Sequence, residues 1–377
     1  MANGYCEPIL LHIEALSANN PAKKLPLLGM LQMALCCQDG SITPLNDRWA
    51  AGHERDMSVK FRTRPLITQV SDTPSACDTA ITPAMQEFAI PGLSYREYAI
   101  YVPDSLIRQY CKDSSEYVKL NASGNAVMQK ETSVMREVYD MLIEGGGAIL
   151  RSINRAIVTQ AATAFGVNVV SGTTASTAVS FALGTTAMQD AMVKLITDWR
   201  ENELCDDVCI VGNGAFANYD LIKNIMANGA SSQGVDQAKL ASMIPQVWYD
   251  KDTASVWGAN QIGVFEKGSV SLLTRNLYQG SFARALGTSN FFSMALPVNE
   301  YSCNADCLDK LIFDVQVKEI DCPQSMLING VETQVGPGVL IVLSKYFSLF
   351  TKPTTLYDAA DPLYGTNGIL RYTVTGT

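Results

Sequence analysis

Apolar residues recur at helical spacing along one long stretch of the chain, Asn125–Phe165. The steps between them are three, four or sums of the two, which is typical of an amphipathic helix. Ser123 or Asn125 could cap the start of this helix, and no proline interrupts it. At about 1.5 Å per residue the run would span roughly 60 Å, which is more than a compact domain needs. The apolar positions are Val127, Val134, Val138, Met141, Ile149, Ile153 and Ala156.

Three consecutive glycines, Gly145–Gly147, lie at the centre of this predicted helix. Each glycine in a helix interior costs about 1 kcal/mol relative to alanine. Two interpretations follow from this. Either two shorter packed helices are joined at the glycines, or a single spine helix runs through them and bends there. The sequence leaves both open.

A second pattern, the alternation of apolar and polar residues, comes before the helix. It predicts a half-solvated strand over residues 57–70, and strand character resumes over Met85–Val102 with a break at Pro91-Gly92. Together these segments predict a long two-stranded ribbon. Because an isolated hairpin is marginally stable in water, the ribbon needs its own core or another subunit to lie on. The basic side of the first strand, which we expect to meet acidic patches on neighbours, consists of Lys60, Arg62 and Arg64.

The rest of the chain mixes helices with short strands. A short helix is predicted at Asp104–Tyr110, and a helix, a strand and a second helix follow at Thr185–Glu201, Val208–Val211 and Ala215–Met226. With the ribbon and the long helix, these elements predict an α+β fold with a long β-ribbon and a central spine helix. Further strands are predicted at Gln246–Tyr249, Ser255–Val256, Gly263–Phe265, Ser269–Leu273, Ile312–Ile320, Val339–Leu343 and Ile369–Val374.

The N-terminal segment, residues 1–50, shows little sign of packing within a single domain. Asn19-Asn20-Pro21 and Pro26 interrupt it, and Leu27–Leu35 is its one apolar cluster. It is either an ordinary N-terminal helix with a loop, or an arm that gains order by lying across a neighbouring molecule.

Composition narrows the class of protein. The 377 residues are 47% hydrophobic and 17% charged, which is globular rather than disordered. A net charge of −9 argues against nucleic-acid binding through the overall field. The sequence has no apolar run long enough for a membrane helix, and its start lacks the basic residues of a signal peptide. Ten scattered cysteines favour a reducing, intracellular compartment.

The residues needed for catalysis are sparse. The two histidines, His12 and His53, lie in the predicted arm and at the ribbon base, where no rigid scaffold would hold them near a nucleophile. Gly212-x-Gly214, between a strand and a helix, is a fragment of a nucleotide-binding motif, but Ala217 stands where the third glycine belongs. A tight strand-to-helix turn is the simpler interpretation, and a nucleotide-binding enzyme is the alternative.

Two cysteine pairs of identical spacing, Cys205/Cys209 and Cys303/Cys307, could hold zinc or form disulfides. Cys209 lies within an apolar strand, however, where a thiol more often fills space. The adjacent carboxylates Asp206 and Asp207 are typical of a solvated helix end. We therefore assign no catalytic, cofactor-binding or metal-binding residue and expect no cofactor and no enzymatic activity.

The order of elements resembles the major capsid proteins of tailed bacteriophages, which share the Hong Kong phage fold with encapsulin shells. Asp207–Ile222 looks like the axial-domain strand of that family, which ends in an asparagine-containing turn before a helix. Val256–Leu273 is similar to the family's glycine, turn and strand segment, with Lys267-Gly268 where Pro-Gly is common. Leu311–Ile320 looks like the returning strand of the peripheral domain. Gly336–Thr377 lies beyond this core and resembles C-terminal extensions in phages of the Bacteroidetes lineage.

The resemblance implies a subunit that self-assembles into an icosahedral head shell around double-stranded DNA, with an encapsulin-like or minor head protein as the alternative. The partners would be further copies in pentamers and hexamers, then scaffold, portal and decoration proteins, with DNA inside and bound without sequence specificity. The expected location is the virion capsid, assembled in the host cytoplasm, with no membrane contact. The implied domains are an N-terminal arm (1–50), an extended β-ribbon loop (51–103), a peripheral domain with the spine helix (104–171), an axial domain (172–300), returning peripheral strands (301–335) and a C-terminal extension (336–377).

Overall fold

A computed structural model describes most of the chain beyond its first ninety residues. The described residues are 24–26, 28–36, 57–62, 85–90, 94–111, 118–120, 126–128, 133–180, 187–204, 208–214, 246–276, 291–303, 306–355, 357 and 359–375.

The described helices and strands alternate along the chain, which confirms the α+β class. The helices are α1 (Gly29–Cys36), α2 (Asp104–Cys111), α3 (Ser133–Thr163), α4 (Ala187–Glu201) and α5 (Thr253–Trp257). The strands are β1 (Met57–Arg62), β2 (Met85–Ile90), β3 (Ser94–Pro103), β4 (Val118–Leu120), β5 (Ala126–Met128), β6 (Thr177–Ser180), β7 (Val208–Gly212), β8 (Gln246–Tyr249), β9 (Gln261–Glu266), β10 (Val270–Arg275), β11 (Phe291–Cys303), β12 (Asp306–Ile320), β13 (Gln324–Ile328), β14 (Val331–Val335), β15 (Gly338–Thr351) and β16 (Ile369–Thr375).

The chain divides into two compact units. The first consists of Met1–Leu27, Ser94–Ile153 and Thr274–Phe347, and the second of Leu28–Leu93, Asn154–Leu273 and Ser348–Thr377. Helix α3 and strand β15 each contribute residues to both units.

The first five-stranded sheet is organised around β15. Its strand order is β10-β15-β12-β11, with β3 also paired to β15, and β15 runs antiparallel to both β12 and β3. The predicted buried strand Val339–Leu343 is confirmed as the interior part of β15. Along β12, Phe313, Val315 and Val317 are buried, and Gln316 and Lys318 are exposed, as expected for a strand with one solvated face. Asp314, expected on the solvated side, is buried instead.

The second five-stranded sheet has the order β6-β16-β9-β7-β8. β16 pairs parallel to β6 and antiparallel to β9, and β7 pairs parallel to β8. Helix α4 contributes Ala191, Met192, Leu195 and Trp199 to the core cluster of this sheet. The predicted amphipathic helix Thr185–Glu201 and strand Val208–Val211 are thereby confirmed within one or two residues, while the predicted helix Ala215–Met226 lies outside the described residues.

The expectation that residues 336–377 extend beyond the core is wrong. β15 and β16 are interior strands of the first and second sheets, respectively. The reason lies in their composition, because β15 has few polar positions and is buried along nearly its whole length, as a strand covered on both faces must be.

The predicted ribbon is confirmed where it is described, and residues 63–70 of its first strand lie outside the described residues. β1 pairs antiparallel with β2 in a two-stranded sheet of their own, from Met57↔Ile90 to Arg62↔Met85. The continuation of the ribbon into residues 94–102 is wrong, because β3 pairs with β15 instead. The break at Pro91-Gly92 separates the two strands, and the buried Ile100 and Val102 of β3 belong to the larger sheet.

The long helix is a single continuous element of 31 residues, α3. This excludes the interpretation as two shorter helices. The predicted start is wrong, however, because Ala126–Met128 forms strand β5 and the helix begins at Ser133, so neither Ser123 nor Asn125 caps it. The predicted strand Ser255–Val256 is also wrong, since both residues lie in α5. None of the described helices combines the length and the apolar character needed to cross a membrane.

The glycines of α3 lie where the helix approaches other elements of the first unit most closely. A Cβ on Gly145 would lie 2.6 Å from Cδ1 of Tyr98, and one on Gly146 would lie 2.9 Å from Cδ2 of Leu25. At Gly147 the nearest atom, Cδ of Pro26, would be 3.3 Å away. A side chain at Gly145 or Gly146 would therefore require its neighbours to move, whereas the space at Gly147 is less restricted.

Candidate functional site

The turn after β7 is a junction of backbone and side-chain hydrogen bonds. Asn213 is buried, and its side-chain amide donates to Thr253 Oγ1 at 2.7 Å and to Gly258 O at 3.2 Å. Its Oδ1 accepts from the backbone N–H of Gln261 at 3.1 Å. The Asn213 side chain thus ties the end of β7 to α5 and to the start of β9.

The same turn lacks the open backbone that a phosphate needs. Gly214 has φ +61°, and a Cβ there would collide with the side-chain oxygen of Asn260. A nucleotide-binding glycine loop leaves room for phosphate oxygens against the backbone, whereas here the Asn260 carboxamide fills that room. The geometry favours the tight strand-to-helix turn over the nucleotide-binding alternative.

A buried carboxylate anchors the N-terminal helix. Asp250 Oδ2 accepts from the backbone N–H of Met30 at 2.9 Å and from Asn154 Nδ2 at 3.0 Å. The Oδ1 of Asn154 accepts from the N–H of Leu31 at 2.9 Å. These bonds satisfy N–H groups in the first turn of α1, which would otherwise lack partners.

This anchoring corrects the picture of a poorly packed N-terminal segment. Met30, Leu31, Met33 and Ala34 are buried within the chain's own fold, so the apolar cluster at Leu27–Leu35 is an intramolecular helix. Residues 1–23 and 37–50 of the predicted arm, including His12, lie outside the described residues, as do His53, Arg64, Asp206 and Asp207.

A second buried polar cluster lies between α4 and β16 of the second sheet. Tyr372 donates its hydroxyl to Asp198 Oδ2 at 3.1 Å, and Asn202 donates to Asn168 Oδ1 at 2.9 Å and to Asp198 O at 2.6 Å. Burial and the neighbouring Asp198 raise the pKa of Tyr372 above its ordinary value. The cluster is internally satisfied and holds α4 against β16.

A lysine lies buried in the first sheet where β12 separates from β15. The pairing of β12 with β15 ends at Asp314↔Ser344, and Lys345 follows directly. Its Nζ donates to the carbonyl of Ile312 at 2.6 Å and to Asn276 Oδ1 at 2.8 Å. Burial lowers the pKa of Lys345 to about 8, opposed by the charge of Asp314. The ammonium therefore supplies hydrogen bonds at a point where the strand ladder has ended.

The cysteines do not assemble into a metal site among the described residues. Cys209 is disulfide-bonded, to a partner outside the described side chains. Because zinc binds thiolates, this disulfide removes Cys209 from the four-cysteine site considered from the sequence. Cys303 and Cys307 lie on the paired strands β11 and β12, and Cys322 is free and exposed.

The β13–β14 hairpin presents the most exposed large apolar side chains of the described residues. Leu327 is 74% exposed and Val331 is 64% exposed. Between the strands, Asn329 and Gly330 have φ of 51° and 81°, the geometry of a two-residue primed turn. The dipeptide Asn-Gly is a strong hairpin signal, so this turn is predictable from the sequence alone.

The same turn is bound to the edge of β3. Asn329 accepts from the N–H of Ala99 at 2.7 Å through Oδ1 and donates to the carbonyl of Ala99 at 2.8 Å through Nδ2. Met326 and Ile328 pack against the cluster around Val335 and Leu340. By the strand register, Val331 lies on the same face as Met326 and Ile328, and Leu327 lies on the opposite face.

The chain is similar to solved phage structures, at low sequence identity. No profile of a known protein family matches it, and neither does any curated protein. Among solved structures, it is similar to one from Mycobacterium phage Adephagia, at 12% identity over 86% of each chain with a TM-score of 0.42.

The chain is also similar to the cyanophage A-1(L) capsid asymmetric unit, at 11% identity over 93% of this chain and 94% of that one, with a TM-score of 0.43. A third similarity, to the capsid of an empty GTA particle, has 13% identity over 86% and 92% of the two chains and a TM-score of 0.36. The second and third structures are capsids, the class of protein that the sequence resembles. The function proposed below is argued from the geometry of the chain itself.

Proposed function

We propose that this chain is a structural subunit that self-assembles into the icosahedral head shell of a tailed phage, and that it has no enzymatic role. The observation that carries the proposal is the set of two-stranded sheets that stand beside two complete five-stranded sheets. β1–β2, β4–β5 and β13–β14 each form a sheet without a third strand among the described residues.

Two-stranded sheets are marginal on their own in water, and three or more strands or a packed helix are needed for independent stability. The three two-stranded sheets remain separate from the two five-stranded sheets. Strands of neighbouring copies could extend them, because a closed shell gives every copy the same neighbours.

The buried polar residues support a structural role. Asn213, Asp250 and Lys345 each have hydrogen-bonded partners that tie elements of the fold together. Catalytic sites instead combine a cleft with titratable groups aimed at a substrate. The polar groups described above are used to hold strands and helices.

Residues 51–103 contain the ribbon that would reach a neighbour, and 104–171 contain the spine helix. The axial domain predicted at 172–300 would end near residue 273, because Thr274–Phe347 belongs to the first compact unit. Pentamers and hexamers of the chain would build the shell, with scaffold, portal and decoration proteins as partners and DNA enclosed without sequence-specific contacts. The site of action is the virion capsid, with assembly in the host cytoplasm.

The proposal is tested by expressing the full chain alone and purifying it. We expect rings or closed shells in negative-stain electron microscopy and a fast-sedimenting species in analytical ultracentrifugation. A folded chain that remains a monomer at every concentration, with no rings or shells, would contradict the proposal.

A further inference from the structure

The disulfide at Cys209 lies on a defined face of the second sheet. Cys209 is buried, and its neighbours in β7, Val208 and Ile210, belong to the core cluster that contains α4. Because successive side chains of a strand point to opposite faces, Cys209 lies on the face away from α4. The second cysteine of the disulfide is therefore expected on that face.

Helix α3 covers this face of the sheet. Phe265 is the cross-strand partner of Cys209, so the two residues share a face. The ring centroids of Trp257 and Phe265 are 6.1 Å apart, and Trp257 Nε1 donates to the carbonyl of Val158 in α3 at 3.0 Å. Elements that contact this part of α3 are therefore near the Cys209 face.

Helix α1 is such an element. Its Leu31 N–H donates to Asn154 of α3, and its Met30 N–H donates to Asp250, which follows β8. The helix packs against both β7 and β8. None of the described residues of α1 belongs to the α4 cluster. We therefore place α1 on the same face of the sheet as Cys209.

The start of α1 is level with the carboxyl ends of β7 and β8. A Cβ on Gly29 would lie 2.7 Å from the carbonyl oxygen of Tyr249, which is paired with Gly212 at the end of β7. The helix backbone thus comes very close to the sheet at this point. Because α1 begins at this end and packs on both strands, it runs back along them towards the pair Cys209↔Gln246.

Cys36 is the residue of α1 that reaches this pair. It follows Gly29 by about two helical turns and lies on the same side of the helix. Between these residues α1 advances roughly 10 Å at about 1.5 Å per residue. Between Tyr249 and Gln246, β8 also covers roughly 10 Å at about 3.3 Å per residue. Position 36 is therefore level with Cys209, on the side of α1 that meets the sheet.

We propose that Cys36 and Cys209 form a disulfide that links the last turn of α1 to β7. Disulfides join residues whose Cα atoms are about 4.4–6.8 Å apart, and the close approach at Gly29 favours such a separation. Each thiol gives up one proton and one electron as the S–S bond forms. These reduce a low-molecular-weight disulfide, such as oxidised glutathione, to two thiols.

The disulfide makes the attachment of α1 depend on redox conditions. Asp250 and Asn154 hold the first turn of the helix by hydrogen bonds in either redox state. The last turn gains its covalent link only where the surroundings are oxidising, because a reducing cytosol keeps thiols free. This inference goes beyond the proposed shell function and does not depend on it.

Peptide mapping of the full chain identifies the partner of Cys209. The chain is purified without reductant, incubated with oxidised glutathione, alkylated in denaturant and digested without reduction. We expect a linked peptide pair that contains Cys36 and Cys209, in which fragmentation between Cys36 and Cys37 assigns the bond to Cys36. A link from Cys209 to Cys37, to Cys205 or to any other cysteine, or a free Cys209 thiol, would overturn the inference.

Thermal melting of Cys36→Ser, with Cys37→Ser as the matched control, tests the effect on the fold. Reductant should lower the Tm of the unmodified chain and of the control by about 4 °C or more, because the disulfide closes a long loop. The oxidised and reduced melts of Cys36→Ser should coincide. A shift that persists in Cys36→Ser, or that disappears in Cys37→Ser, would contradict the pairing.

Neither measurement requires assembled particles. A wrong pairing would therefore leave the shell function standing, and a chain that forms no particles would leave the disulfide assignment unaffected.

Discussion

Replacing each glycine of Gly145–Gly147 by alanine, one at a time, separates two accounts of why α3 contains them. If the glycines serve as a bend, the three replacements act alike. If they serve close packing, the three differ in the order set by the space around each Cβ.

The structure gives the expected size of each effect. Alanine is favoured over glycine in a helix interior by about 1 kcal/mol, whereas overpacking a core costs about 1–3 kcal/mol. At Gly145 the new Cβ would lie 2.6, 3.2 and 3.3 Å from three ring atoms of Tyr98, so the ring must move. We expect Gly145→Ala to destabilise the chain by about 1–2 kcal/mol after the gain in helix propensity is subtracted.

The expected destabilisation is smaller at the other two positions. At Gly146 the Cβ would meet the buried Leu25 and Leu296 at 2.9 and 3.3 Å, which are ends of flexible side chains with no free space around them. We expect a net destabilisation of up to about 1 kcal/mol. At Gly147 only Pro26 lies close, at 3.3 Å, and it is half-buried, so Gly147→Ala should be neutral or stabilising by up to about 1 kcal/mol.

Urea unfolding monitored by circular dichroism measures the three midpoints against the unmodified chain. The packing account requires the order Gly147→Ala, then Gly146→Ala, then Gly145→Ala, from most to least stable. Three equal stabilisations, which helix propensity alone would give, would refute it. Unchanged stability together with altered particle curvature in all three variants would favour the bend.

Three further predictions concern buried contacts. The pKa of Lys345 is about 8 in the folded chain and 10.5 when unfolded, so the unfolded state binds more protons between these pH values and the free energy of unfolding rises with pH across them. Lys345→Met should flatten this rise in thermal melts from pH 7.5 to 10.5. An unchanged slope would contradict the assignment of the rise to Lys345. Asp250→Ala should cost about 1–2 kcal/mol by removing the cap of α1 and expose Gly29–Cys36 to proteolysis, whereas unaltered cleavage would show that the cap is dispensable. Asn329→Ala should speed amide exchange at Ala99 while leaving the β7–β9 pairing as protected as before, and equal exchange at Ala99 would show that the clamp adds nothing.

Much of the fold follows from patterns that act locally. The apolar stripe of α4, the alternation of β12 and the unbroken apolar run in β15 each identify an element from its sequence, because burial of one face or of both faces dictates the spacing. The short strand β5 was missed because three residues with Val127 among them fit helical spacing as well as they fit a strand.

The rest could not be predicted because it depends on contacts between distant segments. Lys345 occupies a core position that a local pattern would give to an apolar residue, and its partners Ile312 and Asn276 are far from it in sequence. The reason for Gly145 is Tyr98 on another strand. In the β13–β14 hairpin, the turn Asn329-Gly330 could be predicted from the sequence. The hydrogen bonds of Asn329 to Ala99 could not, because Ala99 is distant in sequence.

The central positions of β15 and β16 affect when the chain can fold during synthesis. The first sheet lacks its middle strand until residue 351 has left the ribosome, and the second lacks an interior strand until residue 375 has done so. Non-local strand pairs form late because the intervening loop must first close. Nascent chains still attached to neighbouring ribosomes on one messenger RNA therefore lack finished surfaces with which to join one another. In the proposed shell, this strand order would delay assembly until synthesis has passed β16.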